Sequence, residues 1–126
     1  MSGTEKKVLV VEDEISLQRA IAESLRTEGI LVETAADAGR AMEITRSFKP
    51  GLILLDLILP GKNGFEFLKD LRQQPEFSNL PVIVLSNLGD EEDIKQGMKL
   101  GAMDFLIKVD NDLKQISKVV NKYLKV

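Results

Sequence analysis

Short, uninterrupted apolar runs alternate along the chain with segments whose apolar residues recur at helical spacing. Val8-Leu9-Val10-Val11, Leu52-Ile53-Leu54-Leu55, Val82-Ile83-Val84-Leu85 and Phe105-Leu106-Ile107 have the length and continuity of strands covered on both faces. Ile30 to Thr34 is a weaker run and reads as an edge strand. Between these runs, Leu17, Ala20, Ile21, Ser24 and Leu25 share one helical face, and Gly29 supplies the stop. Ala41, Ile44, Thr45 and Phe48 form a second stripe behind an Asp37 cap, ended near Pro50. Phe65 to Arg72, with Leu68 and Leu71, predicts a third helix before Pro75. Asp90 to Leu100 predicts a fourth, which Gly97 weakens and Gly101 ends. Leu113, Ile116, Val120, Tyr123 and Leu124 make the fifth.

Five βα units follow from this alternation. Strands joined by crossover helices are parallel, and right-handed crossovers put helices on both faces of the sheet. The expected fold class is therefore α/β, with a doubly wound five-stranded parallel sheet. With 126 residues, the chain is expected to form a single domain over residues 1–126, without internal repeat or linker. Hydrophobic residues at 44% and charged residues at 29% suit a chain that folds alone.

Two absences narrow the chemistry. Cys 0 removes disulfides, thiolate metal sites and cysteine nucleophiles, and His 0 removes imidazole bases and ligands, so any metal must be held by oxygen. Lys+Arg 17 against Asp+Glu 20 gives net charge -3 with no dense basic stretch, so direct nucleic-acid binding is not expected. Met1-Ser2-Gly3-Thr4 is short and polar, and the longest apolar stretch, Leu52 to Leu59, is interrupted by Asp56. Neither a signal peptide nor a membrane span is expected, and the location read from this is cytoplasmic. No effector domain follows Val126, so the protein is expected to act by binding a partner, or to be one domain of a longer chain.

The informative polar residues come directly after apolar strands. Glu12 and Asp13 follow the first, Asp56 the third, Ser86 the fourth and Lys108 the fifth. In a parallel sheet these positions lie along the carboxyl edge, where open α/β sheets bind ligands. If the second strand lies outside the first, the first and third are neighbours, and Glu12, Asp13 and Asp56 form one acidic pocket. Clustered carboxylates tolerate proximity when a proton or cation lies between them. Hard oxygen ligands favour Mg²⁺ or Mn²⁺, completed by phosphate oxygens. Asp56, alone at the end of an apolar strand, is the candidate nucleophile for an aspartyl-phosphate. Lys108 and Ser86 would contact the transferred group.

Each residue also has a plainer reading: Glu12-Asp13 as complement to a helix dipole, Asp56 as a structural cap, Ser86 as a turn residue, Lys108 as a solvated charge. Their joint placement favours a site. Gly61-Lys62 lacks the upstream glycine of a Walker A loop, and Gly61 and Gly64 read as turn punctuation after Asp56.

Taken together, these residues resemble a response-regulator receiver domain of two-component signalling over essentially the whole chain. The matching elements are Val8 to Glu14, Leu54 to Gly61 with Gly64, Pro81 to Ser86, and Gly101-Ala102 leading to Phe105 and Lys108. The resemblance implies a flavodoxin-like (βα)5 fold with strand order 2-1-3-4-5. It implies that Asp56 is the phosphoacceptor, that Glu12, Asp13, Asp56 and the carbonyl of Ile58 hold Mg²⁺, and that Lys108 binds a phosphoryl oxygen. Ser86 and Phe105 would be the switch pair, the hydroxyl moving toward the phosphoryl group and the ring turning inward. The implied partners are a sensor histidine kinase or histidine phosphotransfer protein, which must supply the histidine, and a downstream protein on the face made by the fourth helix, fifth strand and fifth helix. A phosphorylation-dependent homodimer is a further implied state.

Three positions depart from the family pattern. Val109 stands where proline usually follows the lysine, often through a cis bond that is costly for other residues, so the loop after Lys108 is expected to differ in shape. Asn87 follows Ser86 where a small residue is common, which would narrow access for the phosphodonor. Leu88 and Ile58 are apolar beside the route of attacking water. Two other readings stay open: a small Mg²⁺-dependent phosphohydrolase, which commonly carries a further acid where Ile58 stands, and a receiver-like scaffold that is never phosphorylated.

Overall fold

The apolar runs pair as parallel strands, in the order that the family resemblance implies. In the computed structural model, which describes residues 5–124, β1 (Lys7–Val11), β2 (Leu31–Ala35), β3 (Leu52–Leu55), β4 (Val82–Ser86) and β5 (Asp104–Ile107) form one five-stranded parallel sheet in the order β2-β1-β3-β4-β5. The polar stretch Met1-Ser2-Gly3-Thr4 lies outside the described residues. The helices are α1 (Ile15–Arg26), α2 (Ala38–Phe48), α3 (Gly64–Arg72), α4 (Glu91–Lys99) and α5 (Leu113–Tyr123).

Alternate strand residues feed two separate cores. Val8, Val10, Leu52, Leu54, Ile83 and Leu85 pack under α1 and α5, while Leu9, Val11, Ile53, Leu55, Val82 and Val84 pack under α2 and α3. This is the doubly wound arrangement the alternation implies. Each buried Leu, Ile or Val contributes about 1.5–3 kcal/mol, so β1, β3 and β4, buried along almost their whole length, anchor the molecule.

Polar residues set where the helices begin. Asp37 accepts from the Arg40 N–H at the start of α2, as the spacing implies. Asn63 with Glu66, and Asp112 with Gln115, form reciprocal capping boxes on α3 and α5. The edge strand begins one residue later than the apolar run suggests. Ile30 closes the turn from α1 and is buried against that helix's core, so pairing with β1 starts at Leu31 opposite Lys7.

Candidate phosphoacceptor site

Strand register builds the site. Val11 pairs with Leu55, so Glu12 and Asp56, each the next residue, leave the sheet side by side. Ser86 pairs with Ile107, so Lys108 leaves the same edge from the neighbouring strand.

Lys108 joins the two acids. Its Nζ lies 2.8 Å from Glu12 Oε1 and 2.8 Å from Asp56 Oδ2. The other Asp56 oxygen, Oδ1, accepts from the Ile58 N–H at 3.1 Å, and Glu12 Oε2 accepts from the Glu14 N–H at 3.0 Å. Glu12 and Asp56 are only 2% and 4% exposed, whereas Asp13 faces solvent. Carboxylate oxygens of Glu12, Asp13 and Asp56 nonetheless lie within 4.8 Å of one another. Three hard oxygen donors that close, one of them open to solvent, fit a divalent cation that keeps some of its waters.

The charges perturb each other as burial requires. Burial pushes the Glu12 carboxyl up, against the lowering effect of its bonds from Lys108 and the Glu14 N–H, and the Asp56 charge adds to the rise. For Lys108, burial acts to lower the ammonium, but hydrogen bonds to Asp56 and Glu12 outweigh it and the group is held above the usual lysine value. Lys108 is therefore a paired cation in the pocket and not a solvated charge. Glu12 serves both places: one oxygen turns into the pocket to Lys108, and the other takes the N–H of Glu14, the residue that caps α1.

Ser86 and Phe105 stand apart from this cluster. The Ser86 hydroxyl is fully buried and accepts from the Leu88 N–H at 3.3 Å. The Phe105 ring is half-buried, packed on the core under α2 and α3 and against α4. Ile58 is exposed, and Leu88 is half-buried against the same core as Phe105.

Two of the departures from the family pattern meet. The Val109 N–H donates to Asn87 Oδ1 at 3.3 Å, a bond that a proline at 109 would lack the hydrogen to make. The loop after Lys108 winds into a single 3-10 turn, Lys108–Asp110. Asn87 thus ties the loop after β4 to the loop after β5.

Two contributors escape a reading of the strand ends. Gln18 is buried on α1, and its Nε2 donates to the Glu12 carbonyl at 2.8 Å, fixing the backbone of the acidic loop. Its signal is an amide beside an apolar stripe, which burial obliges to find a partner. Gly64 is the first residue of α3, where a Cβ would lie 2.5 Å from the Asp56 carbonyl oxygen, so glycine lets that helix approach the site backbone. It does more than punctuate a turn.

A family model, the response regulator receiver domain, matches residues 8–121, and the matched span carries every residue of this site. The chain belongs to the response regulator receiver domain family. It is therefore a phosphoacceptor switch domain of two-component response regulators, a signalling domain. Among curated relatives, it is 39% identical over 108 residues to a probable transcriptional regulator, ycf27, of Cyanophora paradoxa, covering 86% of this chain and 44% of that one. It is 37% identical over 102 residues to the phosphate regulon transcriptional regulatory protein PhoB of Rhizobium meliloti, covering 81% of this chain and 45% of that one. The receiver chain spans less than half the length of these relatives.

Solved structures agree on the fold. The chemotaxis protein CheY4 of Vibrio cholerae superposes with a TM-score of 0.89 at 30% identity, covering 96% of this receiver and 100% of that chain. The Mn(2+)-bound form of response regulator Rcp1 superposes at 0.83 with 29% identity, covering 96% of each chain. Among the described residues, no helix is long and apolar enough to cross a membrane.

Proposed function

We propose that this receiver is a cytoplasmic switch in which Asp56 accepts a phosphoryl group from a partner's phosphohistidine, on a sensor histidine kinase or a histidine phosphotransfer protein. The observation that carries the reading is the Asp56 carboxylate itself: nearly buried, bonded to the Lys108 ammonium, and sharing its pocket with Glu12 and Asp13. A buried carboxylate with one oxygen on an ammonium and the other on a backbone N–H is oriented for attack along a fixed direction.

In the transfer, an Asp56 carboxylate oxygen forms the new bond to phosphorus while the phosphorus–nitrogen bond breaks and its electron pair returns to the imidazole. Lys108 and the Ser86 hydroxyl hold phosphoryl oxygens as charge develops on them. Glu12, Asp13, Asp56 and the Ile58 carbonyl would hold Mg²⁺, or Mn²⁺, which supplies charge neutralisation at the phosphoryl oxygens.

Phosphorylation then draws the Ser86 hydroxyl away from the Leu88 N–H toward the phosphoryl group, and Phe105 reseats in the space released. Both residues border α4, β5 and α5, where Ile94, Met98, Met103 and Leu113 present exposed apolar side chains. That face is the docking surface for a downstream protein, or for a second copy in a phosphorylation-dependent homodimer.

The test is intact mass after incubation with acetyl phosphate. One labile phosphoryl group is expected in the presence of Mg²⁺, none with chelator, and none in Asp56→Asn. Unchanged labelling of Asp56→Asn would remove the assignment of the phosphoacceptor.

A further inference from the structure

Helix α4 buries a single residue against the rest of the molecule, and that residue is a glycine. Gly97 sits in the middle of Glu91–Lys99, where glycine weakens a helix because it leaves the backbone free when unfolded. Its backbone conformation lies outside the left-handed region that favours glycine, so backbone geometry does not call for it. What lies over it does. A Cβ built on Gly97 would stand 3.2 Å from Cδ2 and 3.3 Å from Cε2 of Phe105, closer than carbon atoms pack without strain.

The ring so seated belongs to the resting arrangement of the site. In the same structure the Ser86 hydroxyl is held by the Leu88 N–H, and Lys108 is held by Glu12 and Asp56. The ring edge therefore packs directly over position 97, where a side chain would press it aside by a few tenths of an ångström. We propose that Gly97 is a positioning residue for the Phe105 switch, its missing side chain providing the resting seat of the ring and so setting how readily the receiver activates. This rests on the reading of Ser86 and Phe105 as the switch pair.

A methyl group at 97 crowds the resting seat. The balance of states then shifts toward the activated form, and any ligand selective for that form binds more tightly by the same factor. Leucine at 105 removes the ring edge that the methyl group would meet, so it should cancel the effect.

The experiment titrates beryllofluoride, with Mg²⁺ fixed, into wild type, Gly97→Ala, Phe105→Leu and the double variant, following the side-chain resonances of position 105 and the bound fluorine signal. Circular dichroism confirms that each variant is folded; alanine in a helix interior favours folding. Gly97→Ala is expected to bind beryllofluoride about three-fold more tightly or better than wild type, and to shift the Phe105 ring resonances before any beryllofluoride is added. In the Phe105→Leu background the same substitution should change affinity by less than about half that factor. Equal or weaker binding by Gly97→Ala, or the same gain without the ring, would overturn the role of Gly97. If the wild-type Phe105 resonances ignore beryllofluoride altogether, the switch reading itself fails, an outcome distinct from a ring that responds but is indifferent to position 97.

Discussion

Helices α1 and α4 each follow a strand that delivers residues to the site, yet they are held in opposite ways. α1 buries Gln18, Ile21, Ala22 and Leu25, and Gln18 is bonded to the backbone of Glu12 itself. α4 buries Gly97 alone, while Ile94 and Met98 stand 37% and 45% exposed. At about 1.5–3 kcal/mol for each large apolar side chain buried, the difference in docking amounts to several kcal/mol. The strands echo it: every residue of β3 is buried, and β5 buries Leu106 alone. The acids that would meet the phosphoryl group stand on the firmly packed half, as does the buried Ser86, whereas the Phe105 ring that would report it stands on the half that is cheap to move.

That contrast can be broken by mutation. Leu54→Ala, in the middle of β3, is expected to cost about 2–5 kcal/mol because it leaves a cavity in a core that cannot collapse. Met98→Ala, on the outer face of α4, should stay within about 0.5 kcal/mol. Chemical denaturation of both variants measures this, and similar costs would mean that the halves are equally tight.

A second test separates the halves at the site. Phospho-Asp56 is expected to decay slowly, because Ile58 and Leu88 cannot hydrogen-bond a water placed in line behind phosphorus. Ile58→Asn with Leu88→Glu should lose phosphate at least several-fold faster in Mg²⁺, since orienting a reactant typically contributes more than that. Ile58 follows Asp56 on the firm half and Leu88 lies in the loop before α4, so the single variants divide the effect. Equal decay in all forms would remove the argument.

The smallest expected effect is a pH dependence. Burial raises the Glu12 carboxyl above its ordinary 4.5, so the folded protein binds that proton more tightly than the unfolded chain does. The associated stability is fully present below pH 4.5 and is lost as pH rises through the folded value. In metal-free buffer, the stability of wild type relative to Glu12→Gln should therefore fall as pH rises above that point. A flat or rising difference, read from urea midpoints along a pH series, would show that Lys108 fully compensates the buried acid.

Much of the fold was legible because the core strands are continuous apolar runs with one reading. Val8 to Val11 and Leu52 to Leu55 could be little else, and strands separated by helices had to be parallel. The boundary of β2 was less so, since Ile30 is as apolar as a strand residue but serves the turn. Glu12, Asp13, Asp56 and Lys108 were legible by position, coming directly after their strands, with Ser86 the last residue of its own. Their contacts were not. Lys108 and Asp56 are 52 residues apart in sequence and meet only through the order of the sheet. Nor does Glu12-Asp13 reveal which acid is buried, because adjacent residues leaving a strand diverge. Gly97 read as a flaw in a helix, and only the ring above it explains the choice.

The most direct test of the whole account is the map of amide chemical shifts before and after beryllofluoride with Mg²⁺. Activation read out by the loosely held α4 and β5, and passed to α5 beside them, predicts changes from Glu91 to Tyr123, with α1 nearly unmoved beyond its first turn. Changes confined to residues touching the acidic pocket, or as large along α1 as along α4, would contradict it.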